Sequence, residues 1–128
     1  MQSLVIPLVP YPAPRPRFSK WGTYNPKKYT DHKKAIATLA KCVFNGTEKP
    51  VKLSCIFYMP IPKSWSKKKR LEAVGQYHIK KPDSDNLLKT IKDALSGIAY
   101  IDDSQVAVTI THKIYSDDPR TEIYITLL

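Results

Sequence analysis

The chain is short of the features that staple or anchor many small proteins. It holds 2 cysteines in 128 residues, Cys42 and Cys55. Two are too few for a disulfide framework. Their apolar surroundings favour free buried thiols in a reducing compartment, with a single bridge as the alternative. A domain of this length buries enough core to need no staples. No apolar run approaches the ~20 residues of a membrane span. The start, MQSLVIPLVP, has no basic segment and only a short apolar run, so it does not read as a secretory signal. Repeats, low-complexity tracts and a dividing linker are missing too, which leaves one domain over residues 1–128. The expected location is the cytoplasm, without membrane contact.

Acids are scarce as well. The chain carries 21 lysines and arginines against 11 aspartates and glutamates, a formal net charge of +10. The imbalance is uneven. Residues 1–82 hold 17 cations and 3 acids, whereas residues 83–128 hold 4 cations and 8 acids. A positive face of this kind suits a polyanion, and nucleic acid is the leading partner. A generally basic, soluble domain is the plainer alternative.

Several segments declare their form. SLVIPLVP reads as a first strand, Ser3 to Val9. The next segment, YPAPRPRFSKWGTYNPKKY, is too rich in proline for a helix and long for a loop. It interleaves Arg15, Arg17, Lys20, Lys27 and Lys28 with Tyr11, Phe18, Trp21, Tyr24 and Tyr29. Cations among aromatics suit phosphate contacts with base stacking. Thr30 is a plausible cap for a helix whose apolar face is Ile36, Leu39, Ala40 and Val43, with Asn45-Gly46 as the stop. Val51 to Met59 reads as a strand. SWSKKKRLEAVG reads as a short helix capped by Ser64 or Ser66, and its Lys67, Lys68, Lys69 and Arg70 form the densest positive run. Such a run neutralises phosphates without reading sequence, or is merely a solvated helix face. His32 and His78 are isolated from other ligand types. Gln105 to Tyr115 and the RTEIYITLL segment alternate as strands around a SDDP turn, which suggests a β-hairpin. The expected architecture is α+β, a small single domain with helices on a mixed β-sheet.

The acids cluster where the basic run ends. Five of the eleven lie between Lys81 and Val106: Asp83, Asp85, Asp93, Asp102 and Asp103. Asp85 is read as the cap of a helix from Asn86 to about Ser96, whose Leu87, Leu88, Ile91, Ala94 and Leu95 recur at helical spacing. Lys89 lies four residues after Asp85 and four before Asp93, so the three share one side. Asp83 precedes the helix, two residues from Asp85, and Pro82 restricts the approach. Converging carboxylates repel one another and repel phosphate. A divalent cation removes both problems, and hard oxygen donors select Mg²⁺ or Mn²⁺ over zinc. Such an ion activates water and offsets charge on a phosphodiester, with Lys89 beside it. The alternative is structural: Asp83 and Asp85 cap a helix, and Asp102-Asp103 makes a turn.

The stretch Asp83-Ser84-Asp85-Asn86-Leu87, Lys89, Asp93-Ala94-Leu95, Asp102-Asp103 and Gln105-Val106 closely resembles the signature of the RusA family of Holliday junction resolvases, found in bacteria and their phages. It covers about a fifth of the chain. The PRPRFS and SWSKKKR segments resemble the family more loosely. The resemblance implies Asp83, Asp85 and Asp103 as metal ligands, Lys89 as a catalytic lysine, and Asp93 and Asp102 as support. Ser84 departs from the aliphatic residue common at its position. The implied activity is Mg²⁺-dependent cleavage of four-way DNA junctions by a homodimer, in recombination and repair. A non-catalytic DNA-binding protein and a nuclease for other branched DNA are the competing readings. Arg15, Arg17, Lys20, Lys27, Lys67, Lys68, Lys69 and Arg70 are the candidate DNA contacts on charge.

Overall fold

A computed structural model describes residues 1–14, 17–19, 22–24 and 26–128. The elements, in chain order, are β1 (Gln2–Ile6), β2 (Arg17–Ser19), β3 (Gly22–Tyr24), α1 (Lys27–Lys41), β4 (Val51–Pro60), α2 (Lys67–Ala73), α3 (Ser84–Leu95), β5 (Val106–Ser116) and β6 (Arg120–Leu127). A 3-10 turn, Asp103–Gln105, leads into β5. β1, β6, β4 and β5 form one sheet in that order, while β2 and β3 make a separate two-stranded ribbon. β4 runs parallel to β5 and antiparallel to β6. This is the α+β arrangement with a mixed sheet that the sequence implied.

β4 sits inside the sheet because its side chains alternate cleanly. Val51, Leu53, Cys55, Phe57 and Met59 are buried, and the residues between them are half-buried. Helices α1 and α3 cover this face. Ile36, Ala40 and Phe44 from α1 and around it meet Leu87, Ile91 and Leu95 of α3 in one core. Each such aliphatic or aromatic side chain contributes about 1.5–3 kcal/mol on burial.

Several boundaries differ from those read in the sequence. Strand β1 ends at Ile6, not Val9, because Pro7 and Pro10 interrupt pairing. Helix α1 starts a turn earlier than Thr30, with Pro26 at its N-cap and no side-chain cap bond. Thr30 instead donates its hydroxyl to Pro26 O at 3.4 Å. Leu39 and Val43 are each 37% exposed, so only Ile36 and Ala40 of the expected face are buried. Cys55 is buried as expected but Cys42 is exposed, and both thiols are free.

The expected hairpin does not form. β5 and β6 lie on opposite sides of β4: Ser116 pairs with Pro60, and Arg120 pairs with Tyr58. The Asp117–Pro119 turn therefore steps across the end of β4. Alternation shows that both runs are strands but not which strand stands between them. The GQYHIKK segment makes no full strand; Tyr77 opposite Ile114 is an isolated bridge.

Candidate functional site

The site is built around the start of α3. Asp83, not Asp85, is its N-cap, and the helix begins at Ser84. Asp83 makes no side-chain cap bond, so its carboxylate is not consumed in closing the helix. Asp85 lies in the first turn. Both side chains are exposed. Two negative groups at a helix N-terminus are favoured by the partial positive charge there. That term helps to hold the pair together without neutralising it.

Two neighbouring elements fix the approach to this pair. From β5, Lys113 donates through Nζ to Lys80 O at 2.6 Å and to Pro82 O at 2.7 Å. The last residues before Asp83 are thus held by a charge-assisted clamp. The Lys81–Pro82 peptide bond is cis. On the other side, Thr90 is buried and donates its hydroxyl to Tyr11 O at 2.8 Å. The amide of Ala13 donates to Asn86 O at 3.0 Å. The proline-rich segment is therefore laid against α3, and an open cleft of about 470 Å³ forms between Pro12, Ala13, Lys81, Pro82, Asp83 and Asn86.

Asp93 is bound in place. Its Oδ2 accepts from Tyr29 Oη at 3.3 Å and lies 3.5 Å from Lys89 Nζ. Tyr29 is 2% exposed; burial first, then the Asp93 charge, raises its phenol to about 12. The shared helix side of Asp85, Lys89 and Asp93 thus resolves into a Lys89–Asp93 pair backed by α1. With Lys89 63% exposed, the pair adds little stability of its own.

The two adjacent acids Asp102 and Asp103 differ in their surroundings. Asp102 caps the 3-10 turn, its Oδ2 accepting from Ser104 N at 3.0 Å. Hydrogen bonds from Ser104 hold its carboxyl below the usual range. Gln105 completes a reciprocal box: its Oε1 accepts from Ile101 N at 2.8 Å and Asp102 N at 2.9 Å. Its Nε2 donates to Thr47 O at 2.7 Å and Lys49 O at 3.0 Å. Asp103 is half-buried and makes no ion pair among the described residues. It is the largest charge effect on the buried Tyr100, whose phenol is raised mainly by desolvation. Tyr100 Oη donates to Lys92 O at 2.8 Å, which ties the segment leading to Asp102 and Asp103 to the later half of α3. Asp83 lies nine residues before Lys92, about 14 Å along the helix axis.

That spacing bears on metal binding. Among the described residues, no three His, Cys, Asp or Glu side chains are gathered as a ligand set. Asp83 and Asp85 fit a hard divalent cation in their chemistry: both are exposed carboxylates with no ion pair among the described residues. Asp103 is not grouped with them.

The candidate DNA contacts are spread more widely. Lys67, Lys68, Lys69 and Arg70 are exposed on α2, whose N-cap is Ser66, and Lys27 is exposed at the start of α1. Lys69 Nζ lies 4.0 Å over the Trp65 ring. Arg17 falls on β2; Arg15 and Lys20 lie outside the described residues. A second cleft, of about 340 Å³, has Ile61, Leu71, Val74, Lys67 and Arg70 in its lining. His32 is half-buried: its ring packs 5.6 Å from that of Tyr11, and burial lowers its pKa. Sequence reading missed Lys113 and the pinning role of Gln105. Neither stands out in a chain of 21 cations or in a polar turn, because each acts through distant backbone carbonyls.

Comparison with known proteins identifies the family. The family model described as Endodeoxyribonuclease RusA matches residues 7–126. The chain belongs to the RusA endodeoxyribonuclease family. It is 36% identical over 78 residues to a Lactococcus phage r1t protein named "Crossover junction endodeoxyribonuclease rusA", covering 60% of this chain and 54% of that one. It is 40% identical over 80 residues to the "Uncharacterized protein YqaN" of Bacillus subtilis (strain 168), covering 59% of this chain and 56% of that one. The chain thus matches a little over half the length of these curated relatives. Among the described residues, no helix is long and apolar enough to cross a membrane.

Proposed function

We propose that the chain is a Mg²⁺-dependent (or Mn²⁺-dependent) endonuclease that nicks branched DNA, with the four-way junction as its substrate. The observation that carries this reading is the pair of exposed carboxylates, Asp83 and Asp85, with no ion pair among the described residues, at the start of α3 in a chain of the RusA family. Asp83 and Asp85 would hold the cation, and Asp103, which stands apart from them in the single chain, would join only when dimerisation or DNA binding brings it to them. When bound, such an ion lowers the pKa of water and offsets charge on the phosphodiester. Lys89, oriented by Asp93, would stand near the phosphate and stabilise charge developing there. Asp102, engaged in capping, would support Asp103. The exposed cations of α2, with Arg15, Arg17, Lys20 and Lys27, would bind the DNA backbone. Cleavage would leave 5′-phosphate and 3′-hydroxyl ends. A homodimer suits a two-fold junction, because one site per subunit can place paired nicks in opposed strands. The setting would be recombination and repair in the cytoplasm.

The second reading is a non-catalytic DNA-binding protein. It is favoured by the lack, among the described residues, of a gathered three-carboxylate group. Substitution separates the two. Asp83→Asn, Asp85→Asn and Asp103→Asn are each expected to abolish junction cleavage while binding survives, and Asp102→Asn to hurt less. Lys89→Met is expected to slow cleavage about 10²–10³-fold. Normal cleavage by all three aspartate variants would contradict the metal-site assignment.

A further inference from the structure

Two of the most exposed large apolar side chains lie on the segment that leads into the acid pair. Tyr77 is 69% exposed and Ile79 is 88% exposed. The segment is not loose. Gly75 N donates to Tyr115 O, Tyr115 N to Gln76 O and His78 N to Lys113 O, each at 2.9 Å. The Lys113 clamp on Lys80 O and Pro82 O continues the same anchorage. Between the two exposed residues His78 turns inward, its ring 4.8 Å from that of Tyr115. Extended backbone places alternate side chains on opposite faces. With His78 packed against β5, Tyr77 and Ile79 are held outward on a rigid mount.

The surroundings of these two residues are cationic. Between Ser64 and Lys81 the chain carries Lys67, Lys68, Lys69, Arg70, Lys80 and Lys81 against the single acid Glu72. Lys69 and Lys80 both approach the Trp65 ring, at 4.0 and 5.7 Å. An apolar pair in a positive rim is poorly matched to the same positive rim on a second copy. It is matched to a polyanion whose bases present apolar faces. Apolar side chains inserted between base steps unstack and kink a duplex, and a branch point, where stacking is already interrupted, lowers the cost.

We propose that Tyr77 and Ile79 form an apolar wedge that meets unstacked bases at the branch point of the DNA. The proposal rests on the DNA reading above and adds the part of the surface that distinguishes a branch from a continuous duplex. Ile79 stands four residues before Asp83, so wedge and acids share one stretch of backbone pinned by Lys113.

The test uses the full chain and a four-way junction carrying 2-aminopurine at the branch point, titrated in EDTA so that no cleavage intervenes. The wild type is expected to bind and to raise the fluorescence. The Tyr77→Ser/Ile79→Ser protein is expected to bind within about tenfold of wild type yet leave the fluorescence at the level of free DNA. Ile79→Ser alone, at the more exposed position, carries the test if the double variant does not fold. A full fluorescence rise with the variants, or binding by the wild type without any rise, would overturn the wedge and leave the DNA reading standing. A variant that elutes as a smaller species than wild type would reassign the two residues to a contact between copies. No binding of the junction by wild type would overturn the DNA reading itself, and the wedge with it.

Discussion

Single side chains divide into those left available at the site and those used to hold it. Asp83 and Asp85 are available, while Asp93 and Asp102 are hydrogen-bonded into place. Tyr29 illustrates the second kind. Its buried phenol donates to Asp93 and is raised to about 12. A raised folded pKa means that the bond contributes in full below the unfolded value near 10 and is lost as pH climbs toward 12. Tyr29→Phe keeps the ring and is expected to cost about 0.5–1.5 kcal/mol near neutrality. Urea denaturation across pH 8–12 checks both points: the wild type should lose more stability than the variant over the alkaline limb. The five acids were visible in the sequence, and the resemblance implied support roles for Asp93 and Asp102, but the helix cap was misplaced. Asp85 looked like the cap from its position before an apolar run; the helix begins two residues earlier than expected, at Ser84, and the cap is Asp83. Two residues of helix offset are beyond what spacing resolves, because capping is decided by local backbone geometry.

Elements rather than residues determine where the acids can stand. Helix α3 is oriented by its buried Leu87, Ile91 and Leu95, and those positions were legible from their periodicity. The Asp102–Asp103 turn is held by Gln105, which satisfies two amides and two carbonyls from two segments, Ile101–Asp102 and Thr47–Lys49. Gln105→Ala removes all four partners and is expected to destabilise the fold by about 1–3 kcal/mol, read by chemical denaturation. Gln105 and Lys113 were not identified as anchors from sequence, since their partners lie at separations of 31 to 58 residues for the carbonyls of Pro82, Lys80, Lys49 and Thr47. The same limit explains the missing hairpin. Which strand inserts between β5 and β6 depends on the two helices that carry the chain from β4 to β5, a feature no alternation pattern records.

At the scale of the molecule, the scarcity of acids and their concentration in one stretch describe two jobs on one surface. The basic segments would hold DNA by charge, and the acid pair would admit a cation where a phosphate must come close. Replacing Lys67, Lys68, Lys69 and Arg70 by glutamine is expected to reduce the slope of log affinity against log salt by about 3 to 4. Filter binding or fluorescence anisotropy over a salt series measures this, and an unchanged slope would remove α2 from the interface. The α+β class followed from the residues and the resemblance. The distance between Asp103 and the Asp83–Asp85 pair did not follow from them, because the length of α3 sets it.

The central claim is that this chain cuts branched DNA with a divalent cation at the Asp83–Asp85 site. Labelled four-way junction and linear duplex of matched sequence, each incubated with the purified protein in Mg²⁺ or EDTA and mapped at nucleotide resolution, test it most directly. The account predicts paired, symmetric nicks near the branch point in Mg²⁺, none in EDTA and none in the linear duplex. Cutting in EDTA, equal cutting of the linear duplex, or tight junction binding with no cutting in Mg²⁺ would contradict it.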